Sequence, residues 1–348
     1  MMKRALILVL LLPFLASCDP VKIALFRVGM KVVGNREYSS RFIALYYPKF
    51  IPAAEASYLK ADEEVIGVYN NGVAKAYPLT MSFHHHVFND EVGGRSMIVT
   101  FCPLTHTAMA FDPFVDGRPL TFKVDGLKES NMMMIDDSTR SFWVQVTGEA
   151  VKGPLKGKRL DLLFALHTTW GLWRDLHPNT LVLSRDTGFD KDYSRFPFQE
   201  KYFKYKKTSR FLFSVSHRDK RYHPKEMMLG VEINAACKAY PFSALGDRAV
   251  VNDTVGAAPV VVLYDAKTQS AAAFSRILDG RCLSFAAERD SSGVTIRDAA
   301  SGSSWNIEGT AYAGPYAGAA LRPVRAFKAF WFAWIAFNPK TLVFTGSD

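Results

Sequence analysis

The sequence is poor in cysteine and has no long hydrophobic run. Its 348 residues include four cysteines, and no two of them have the CxxC spacing that is typical of a structural zinc site. The apolar run at residues 5–16 is too short to cross a bilayer as a helix. No tract is of low complexity, and 49% of the residues are hydrophobic against 22% charged. This composition favours a globular protein with one large domain or two smaller ones.

The short apolar run is typical of a signal peptide. Lys3 and Arg4 precede it, and Leu-Ala-Ser-Cys follows with the cysteine at position 18. The pattern resembles a bacterial lipobox and predicts that Cys18 is acylated, which would anchor the protein to membrane lipid on the periplasmic side. An ordinary signal peptide with a chance cysteine is the alternative. Asp19 resembles an inner-membrane retention signal and favours that membrane.

The positive charge is concentrated in one segment. The formal net charge is +10, and residues 201–225 hold nine basic residues against one acid, Asp219. Because the rest of the chain is close to neutral, nucleic acid is not predicted as a partner. The basic segment is interpreted either as a solvated linker or as a surface for anionic lipid headgroups.

Two parts of the chain resemble each other. Residues 74–122 align with residues 237–285 at a constant offset of 163, and the similarity continues to the tryptophans at 143, 170 and 173, which match those at 305, 331 and 334. We interpret this as an internal duplication. The predicted organisation is a signal peptide (1–17), a membrane-proximal segment (18–50), a first repeat with the candidate site (51–200), the basic linker (201–225) and a degenerate second repeat (226–348).

The shared framework is predicted to be rich in strands. Residues 65–69 and 73–77 flank an Asn-Asn-Gly turn, which is typical of a β-hairpin. Of the first repeat, residues 169–176 are predicted to be helical, with a threonine cap and Pro178 after the end. The predicted fold is therefore α+β and predominantly β, formed by two equivalent β-rich units with a few short helices.

Residues present in one repeat and absent from the other are candidates for function. Cys102 aligns with Asp265 and His106 with Gln269, and the histidines at 84, 85 and 86 align with Asp, Arg and Ala. Because Pro103 favours the first turn of a helix, Cys102 is predicted to cap that turn and to have a lowered pKa. Alternation along a strand would place His84 and His86 on the opposite face from His85.

Several separated motifs resemble the bacterial domain-of-unknown-function 3179 family (DUF3179). They include VIGV, AYPL, the Cys-Pro-Leu stretch at Cys102, D-x-x-T-x-S-x-W-x-Q from Asp136, and RYHPKE before the second repeat. The resemblance places His85, Cys102, Asp136 and Gln145 at family motif positions, with His86 where glutamate is usual and His106 where glycine or asparagine is common. It implies no established activity.

Three functions compete for these residues. In the first, His85, His86, Cys102 and His106 bind copper or zinc, because thiolate and imidazole suit those metals. In the second, Cys102 is a nucleophile activated by His85 and oriented by Asp136, while Arg140 and Gln145 contact the substrate; this would be an acyl- or thiol-transfer enzyme. The third is a non-catalytic binding module of the cell envelope.

Overall fold

The protein is predominantly β-structured. The structure, a computed structural model, describes residues 42–196, 198–291 and 293–346. It is 45% strand and 12% helix, which confirms the predicted α+β, predominantly β class. Within the described residues, no helix combines the length and the apolar character that crossing a bilayer requires. The predicted signal peptide, Cys18, Asp19 and most of the membrane-proximal segment lie outside the described residues.

The first half of the chain, up to residue 200, holds sixteen of the described strands. In chain order these are Leu45–Tyr46 (β1), Phe50–Pro52 (β2), Glu64–Asn70 (β3), Val73–Pro78 (β4), Val87–Val92 (β5), Arg95–Cys102 (β6), Thr107–Phe111 (β7), Phe114–Val115 (β8), Arg118–Pro119 (β9), Phe122–Lys128 (β10), Asn131–Asp136 (β11), Phe142–Val144 (β12), Glu149–Lys152 (β13), Leu162–Leu163 (β14), Leu166–Thr169 (β15) and Leu181–Leu183 (β16).

The second half, from residue 226, holds the others: Met227–Ile233 (β17), Ala236–Pro241 (β18), Val250–Val255 (β19), Ala258–Asp265 (β20), Ser270–Ser275 (β21), Ile277–Leu278 (β22), Arg281–Cys282 (β23), Phe285–Asp290 (β24), Gly293–Asp298 (β25), Ser304–Trp305 (β26), Ala311–Ala313 (β27), Arg325–Phe330 (β28) and Leu342–Val343 (β29). The described α-helices are Leu79–His85 (α1), Trp170–Leu176 (α2), Gln199–Lys206 (α3), Phe242–Leu245 (α4) and Trp331–Phe337 (α5), and a 3-10 turn covers Ala53–Glu55.

The strand orders of the two halves correspond. The first half contains the order β15-β3-β4-β16-β2 and the second half the order β28-β17-β18-β29. The runs β5-β6-β7 and β10-β11-β12-β13 likewise correspond to β19-β20-β21 and β24-β25-β26-β27. These matching strand orders support our interpretation of an internal duplication.

Equivalent positions also make the same hydrogen bonds. Trp173 Nε1 donates to Thr180 Oγ1 at 2.9 Å, and Trp334 Nε1 donates to Thr341 Oγ1 at 2.9 Å. Asn89 Nδ2 donates to the backbone oxygen 33 residues later, as the corresponding asparagine of the second half does. The residues shared by the two halves therefore hold turns and helices in place.

Two local predictions are confirmed. β3 and β4 form the hairpin, and its turn residues Asn71 and Gly72 have φ of 46° and 80°, the left-handed values that a type I′ turn requires. The helix α2 begins after Thr169, whose hydroxyl accepts a hydrogen bond from Leu172 N at 3.5 Å. Both elements are encoded by short, local sequence patterns.

The prediction of a strand through the three histidines is wrong. They lie at the end of α1, with His84 and His85 in its last turn and His86 as its C-cap at φ 64°. Pro78 fixes the backbone at the N-cap, and the residues after it contain no run of β-branched side chains that would oppose a helix. The three side chains therefore diverge around a helix end and do not alternate across a sheet.

The core is continuous between the two halves. One buried cluster contains both Trp143 and Trp334, and another contains both Trp173 and Trp305. The basic segment adds the helix α3 and the buried Tyr205 to the first of these clusters. Residues from both halves and the segment between them thus pack together around the site described next.

Candidate metal site

Glu64, His106 and His167 reach one point from three separate parts of the first half. Glu64 is the first residue of β3, His106 lies between β6 and β7, and His167 is in β15. In the antiparallel pairing of these strands, Thr169 is opposite Glu64 and His167 is opposite Ile66. Glu64 and His167 are therefore diagonal neighbours on one face of the sheet.

The ligand atoms of these three residues are close together. His106 Nε2 is 3.1 Å and His167 Nε2 is 3.2 Å from Glu64 Oε1, and one ligand atom from each residue lies within 4.8 Å of the others. The two histidine side chains are buried, whereas the Glu64 side chain remains 34% exposed. The group is thus largely enclosed but keeps contact with solvent through the carboxylate.

His106 is held in one orientation by three parts of the chain. Its backbone has φ of 55°, a left-handed value that is uncommon for a non-glycine residue. Its ring is stacked on Phe330 of the second half with centroids 5.3 Å apart, and Phe101 meets it edge-on at 5.6 Å. Its Nδ1 is 2.7 Å from the Tyr202 hydroxyl of the basic segment. This second nitrogen contact fixes which way Nε2 faces.

Burial keeps both histidines neutral at physiological pH. It lowers the pKa of His106 to about 4, although Glu64 opposes the shift. Burial also lowers the pKa of His167 to about 3, and the charge of Lys328 adds to that effect. Burial alone would raise the pKa of Glu64, but the contacts with His106, His167 and Lys328 hold it well below its usual value. The site therefore has one carboxylate and two imidazoles with a free lone pair.

Lys328 enters the site from the second half. Its Nζ is 3.5 Å from Glu64 Oε1 and donates a hydrogen bond to Gln269 O at 3.3 Å. Extending the alignment through the matched tryptophans pairs Lys328 with His167, just as Gln269 pairs with His106. The buried lysine has a lowered pKa because of desolvation. The residues of the second half that cover the site, Lys328 and Gln269, thus occupy the positions equivalent to His167 and His106.

His167 is the least satisfied polar group of the site. Neither ring nitrogen has a hydrogen-bond partner among the described residues, because the approach to Glu64 is close but not aligned for a hydrogen bond. A buried imidazole without partners is costly. His167 and Lys328 both line a cavity of about 20 Å³, whose other walls are small or apolar: Ala108, Phe164, Ala165, Ala271, Ala272, Ala273, Val324, Ala326 and Phe327.

The predicted ligands His85 and His86 lie elsewhere. His85 Nδ1 is 2.7 Å from Ile43 O and its Nε2 is 2.6 Å from the Tyr193 hydroxyl, so both of its nitrogens are used. His86 Nδ1 contacts Ser82 O at 2.8 Å. Burial lowers the pKa of each to about 4. These contacts fasten the end of α1 to its surroundings.

The prediction of a lowered pKa for Cys102 is wrong. The thiol is fully buried at the end of β6, and burial raises its pKa despite hydrogen bonds from the following turn. Its Sγ accepts a hydrogen bond from Met132 N at 3.3 Å. No hydrogen bond joins Cys102 and His85 among the described residues. The three described cysteines, Cys102, Cys237 and Cys282, are all free of disulfide bonds.

Asp136 and Gln145 are buried in hydrogen-bond networks of the framework. Asp136 accepts from Ser141 N at 2.9 Å and from Trp143 Nε1 at 3.0 Å. Gln145 uses both ends of its amide, accepting at Oε1 from Thr107 at 2.7 Å and donating from Nε2 to backbone and hydroxyl oxygens.

Arg140 is exposed, and its ion-pair contact is Asp137 at 3.9 Å. Among the described residues, no hydrogen bond or ion pair directly joins any two of His85, Cys102, Asp136, Arg140 and Gln145, and the predicted cluster stays a prediction. His106 is the one predicted site residue in the metal-ligating group. Within the described residues, no other three His, Cys, Asp or Glu side chains bring their ligand atoms so close.

The sequence reasoning missed Glu64 and His167. Both lie outside the ungapped part of the repeat, which begins at residue 74 and ends at residue 122. The comparison of the two repeats could have found them, because the positions that correspond to them hold Met227 and Lys328. The signal was the same loss of metal-binding residues that pointed to His106.

The fold and the site define a predominantly β protein with a largely enclosed Glu/His/His group able to hold a metal ion. No curated protein and no solved structure shows a significant match to the chain. The family described as "Protein of unknown function (DUF3179)" matches residues 42–341. The chain belongs to this family.

Proposed function

We propose that the protein binds a divalent transition-metal ion through Glu64, His106 and His167. The observation that carries this proposal is the convergence of three ligand atoms, from three chain segments, within 4.8 Å of one another. One carboxylate and two imidazoles are a ligand set used by zinc and by non-haem iron(II) in proteins. Three protein ligands also leave further coordination positions open.

The protonation states support a metal ligand role. A neutral imidazole carries one proton, and the Tyr202 hydroxyl next to His106 Nδ1 can accept that proton's hydrogen bond. Nε2 then presents a lone pair toward Glu64. Because the Nε2 atoms of both histidines lie within 3.2 Å of the same carboxylate oxygen, a cation bound there would be coordinated by all three side chains in place of their present contacts.

Zinc is the better candidate of the two metals predicted from the sequence. The case for copper depended on a thiolate, and the Cys102 thiol is protonated and outside this group. Imidazole and carboxylate ligands suit zinc without any sulfur. We therefore infer that zinc occupies the site in the cell.

Elemental analysis of the untagged protein, purified without chelators, tests this proposal. We expect about one zinc ion per chain, and we expect Glu64→Gln, His106→Ala and His167→Ala each to weaken zinc binding at least ~100-fold. This estimate is the upper end of the effect of removing a residue that only supports a ligand. A competition titration with a chromophoric chelator measures the affinities.

Three control variants separate this site from the one predicted from sequence. His84→Ala changes a partly buried histidine whose Nε2 contacts Arg195 O, so zinc should stay bound. His85→Ala and Cys102→Ser should also retain zinc if the folded fraction is unchanged. A wild-type protein without stoichiometric metal, or zinc retained by all three ligand variants, contradicts the proposal.

We also propose that the protein is exported and held at the periplasmic face of a membrane, the inner membrane by preference. The lipobox-like Leu-Ala-Ser-Cys and Asp19 support this location. Most of the basic residues in 201–225 are exposed, although Lys225 is buried, where its Nζ donates to Arg210 O at 2.8 Å. The exposed ones could contact anionic headgroups once a lipid anchor holds the domain nearby.

The anchor gives a prediction about lipid labelling. Wild-type protein expressed in a Gram-negative host should incorporate labelled palmitate and sediment with membranes, and Cys18→Ser should lose both properties because the acylated atom is gone. Cys282→Ser is the matched control, since it removes an exposed cysteine without touching the lipobox. Labelling that persists in Cys18→Ser would rule out this anchor.

A further inference from the structure

We propose that the cavity lined by His167 and Lys328 binds a small carboxylate anion, such as formate, which accepts hydrogen bonds from both residues. The proposal rests on the metal site proposed above, because a metal ion on His167 Nε2 is what leaves the proton on Nδ1. The ligand would complete the outer coordination shell of the metal from a position that no protein side chain fills.

His167 lacks an acceptor for the proton on Nδ1 among the described residues. Histidines that bind metals almost always donate their other ring N–H to a carboxylate, a carbonyl or water, which fixes the ring and strengthens the metal bond. His106 has the Tyr202 hydroxyl in that position, at 2.7 Å. His167 is buried, and its Nδ1 has no partner among the described residues.

The polar side chains that line the cavity are hydrogen-bond donors. Lys328, a donor without acceptor capacity, lines it together with His167. Two of the three Lys328 protons are directed to Glu64 and to Gln269 O, which leaves one for a ligand. Because the walls are otherwise alanine, valine and phenylalanine side chains, the polar side chains of the cavity are both donors. Such a lining selects a group that only accepts hydrogen bonds.

The charge of the metal-loaded site also favours an anion. A divalent metal ion by itself outweighs the single Glu64 carboxylate, so the metal-loaded site carries excess positive charge in a largely buried place. Uncompensated buried charge is unfavourable, and an anion would reduce it. A neutral water molecule could fill the cavity but would leave the charge in place.

The size of the cavity limits the ligand. A volume of about 20 Å³ exceeds the roughly 10–15 Å³ that one water molecule requires, and alanines from three strands form its sides. Formate has a single carbon and two acceptor oxygens, one for each donor. A larger carboxylate would collide with the alanine walls.

Calorimetric titration of sodium formate into the zinc-loaded full-length protein, in chloride-free buffer, tests the proposal. We expect saturable binding of one formate, weakened at least ~tenfold in Lys328→Met because a charge-assisted hydrogen bond is lost. Ala271→Leu should abolish formate binding by filling the cavity, while the zinc affinity measured without formate stays unchanged. Lys340→Met, which removes an exposed lysine, is the matched control and should bind formate as the wild type does.

Zinc and formate should also strengthen each other's binding, since a filled outer shell favours the metal-bound state and the coupling is reciprocal. Zinc bound with no formate binding, or formate binding as strong in Lys328→Met and Ala271→Leu as in the wild type, overturns the anion site and leaves the metal site standing. Absence of zinc from the wild-type protein overturns the metal site itself. Because Ala271→Leu does not depend on the lysine, the test survives if Lys328→Met fails to fold.

Discussion

Replacing Asp136 by alanine is expected to lower the free energy of unfolding by about 4 kcal/mol, measured by urea denaturation. The buried carboxylate accepts hydrogen bonds from Thr139, Ser141 and Trp143, and bonds to a charged acceptor contribute about 1.5–3 kcal/mol each. Alanine would leave the buried Trp143 and Ser141 N–H groups and the partly buried Thr139 N–H without an acceptor. The loss of stability should lower the urea concentration at the midpoint of unfolding and leave the m-value, the slope of the unfolding free energy against urea concentration, almost unchanged.

The second half supplies the matched comparison. Asp298 is 1% exposed and accepts from Trp305 Nε1 at 3.0 Å and from Ser301 N at 2.7 Å. Asp298→Ala should therefore cost a similar amount, and zinc binding per folded chain should be unaffected in both variants. If Asp136→Ala is as stable as the wild type but loses the metal, the structural role is contradicted and Asp136 belongs to a functional site, as predicted from the sequence.

Asp136 shows why a structural role is difficult to distinguish from a functional one in the sequence. Asp136 is a candidate site residue because it lies in a motif that resembles the family's. The hydrogen bonds show that the aspartate and tryptophan form the same turn in both halves. A motif that occurs in both halves with the same hydrogen bonds indicates a role in stabilising the fold, even where the neighbouring residues differ.

Local patterns were sufficient for local elements. The Asn-Gly turn after β3 and the capped helix α2 follow from residues adjacent in sequence, and both predictions are confirmed. The histidine helix was missed because three identical polar residues have no periodicity that distinguishes helix from strand. Its helical form follows from the preceding proline and from packing of Phe83 against Phe101, at a ring distance of 5.2 Å.

The candidate site could not be predicted from local patterns because it is assembled over long separations. Glu64 and His167 are brought together by the pairing of β3 with β15, about a hundred residues apart. The site is then closed by Phe330 and Lys328 of the second half. Such contacts depend on the packing of whole sheets. In the sequence, the signal that could identify these residues is the comparison of equivalent positions in the two halves.

Gly67→Ala is expected to destabilise the protein by about 3 kcal/mol, at the upper end of the usual cost of overpacking a core. A Cβ added to Gly67 would lie 2.1 Å from Trp173 Cε3, so the indole would have to move away from its hydrogen bond to Thr180. The equivalent change, Gly230→Ala, would place a Cβ 2.3 Å from Trp334 Cε3 and should cost about as much.

The two glycine variants together test whether the halves unfold as one unit. Residues of both halves share two buried clusters, and Arg159 of the first half makes two hydrogen bonds of 2.8 Å to Glu232 of the second. Because each half buries part of the other's core, either substitution should lower amide protection in β3–β7 and in β17–β21 alike, as followed by hydrogen exchange and mass spectrometry. Loss of protection confined to the substituted half would mean instead that the repeats are independent folding units. The metal site would then depend on the docking of two separately stable halves, since Glu64 lies in one and Lys328 in the other.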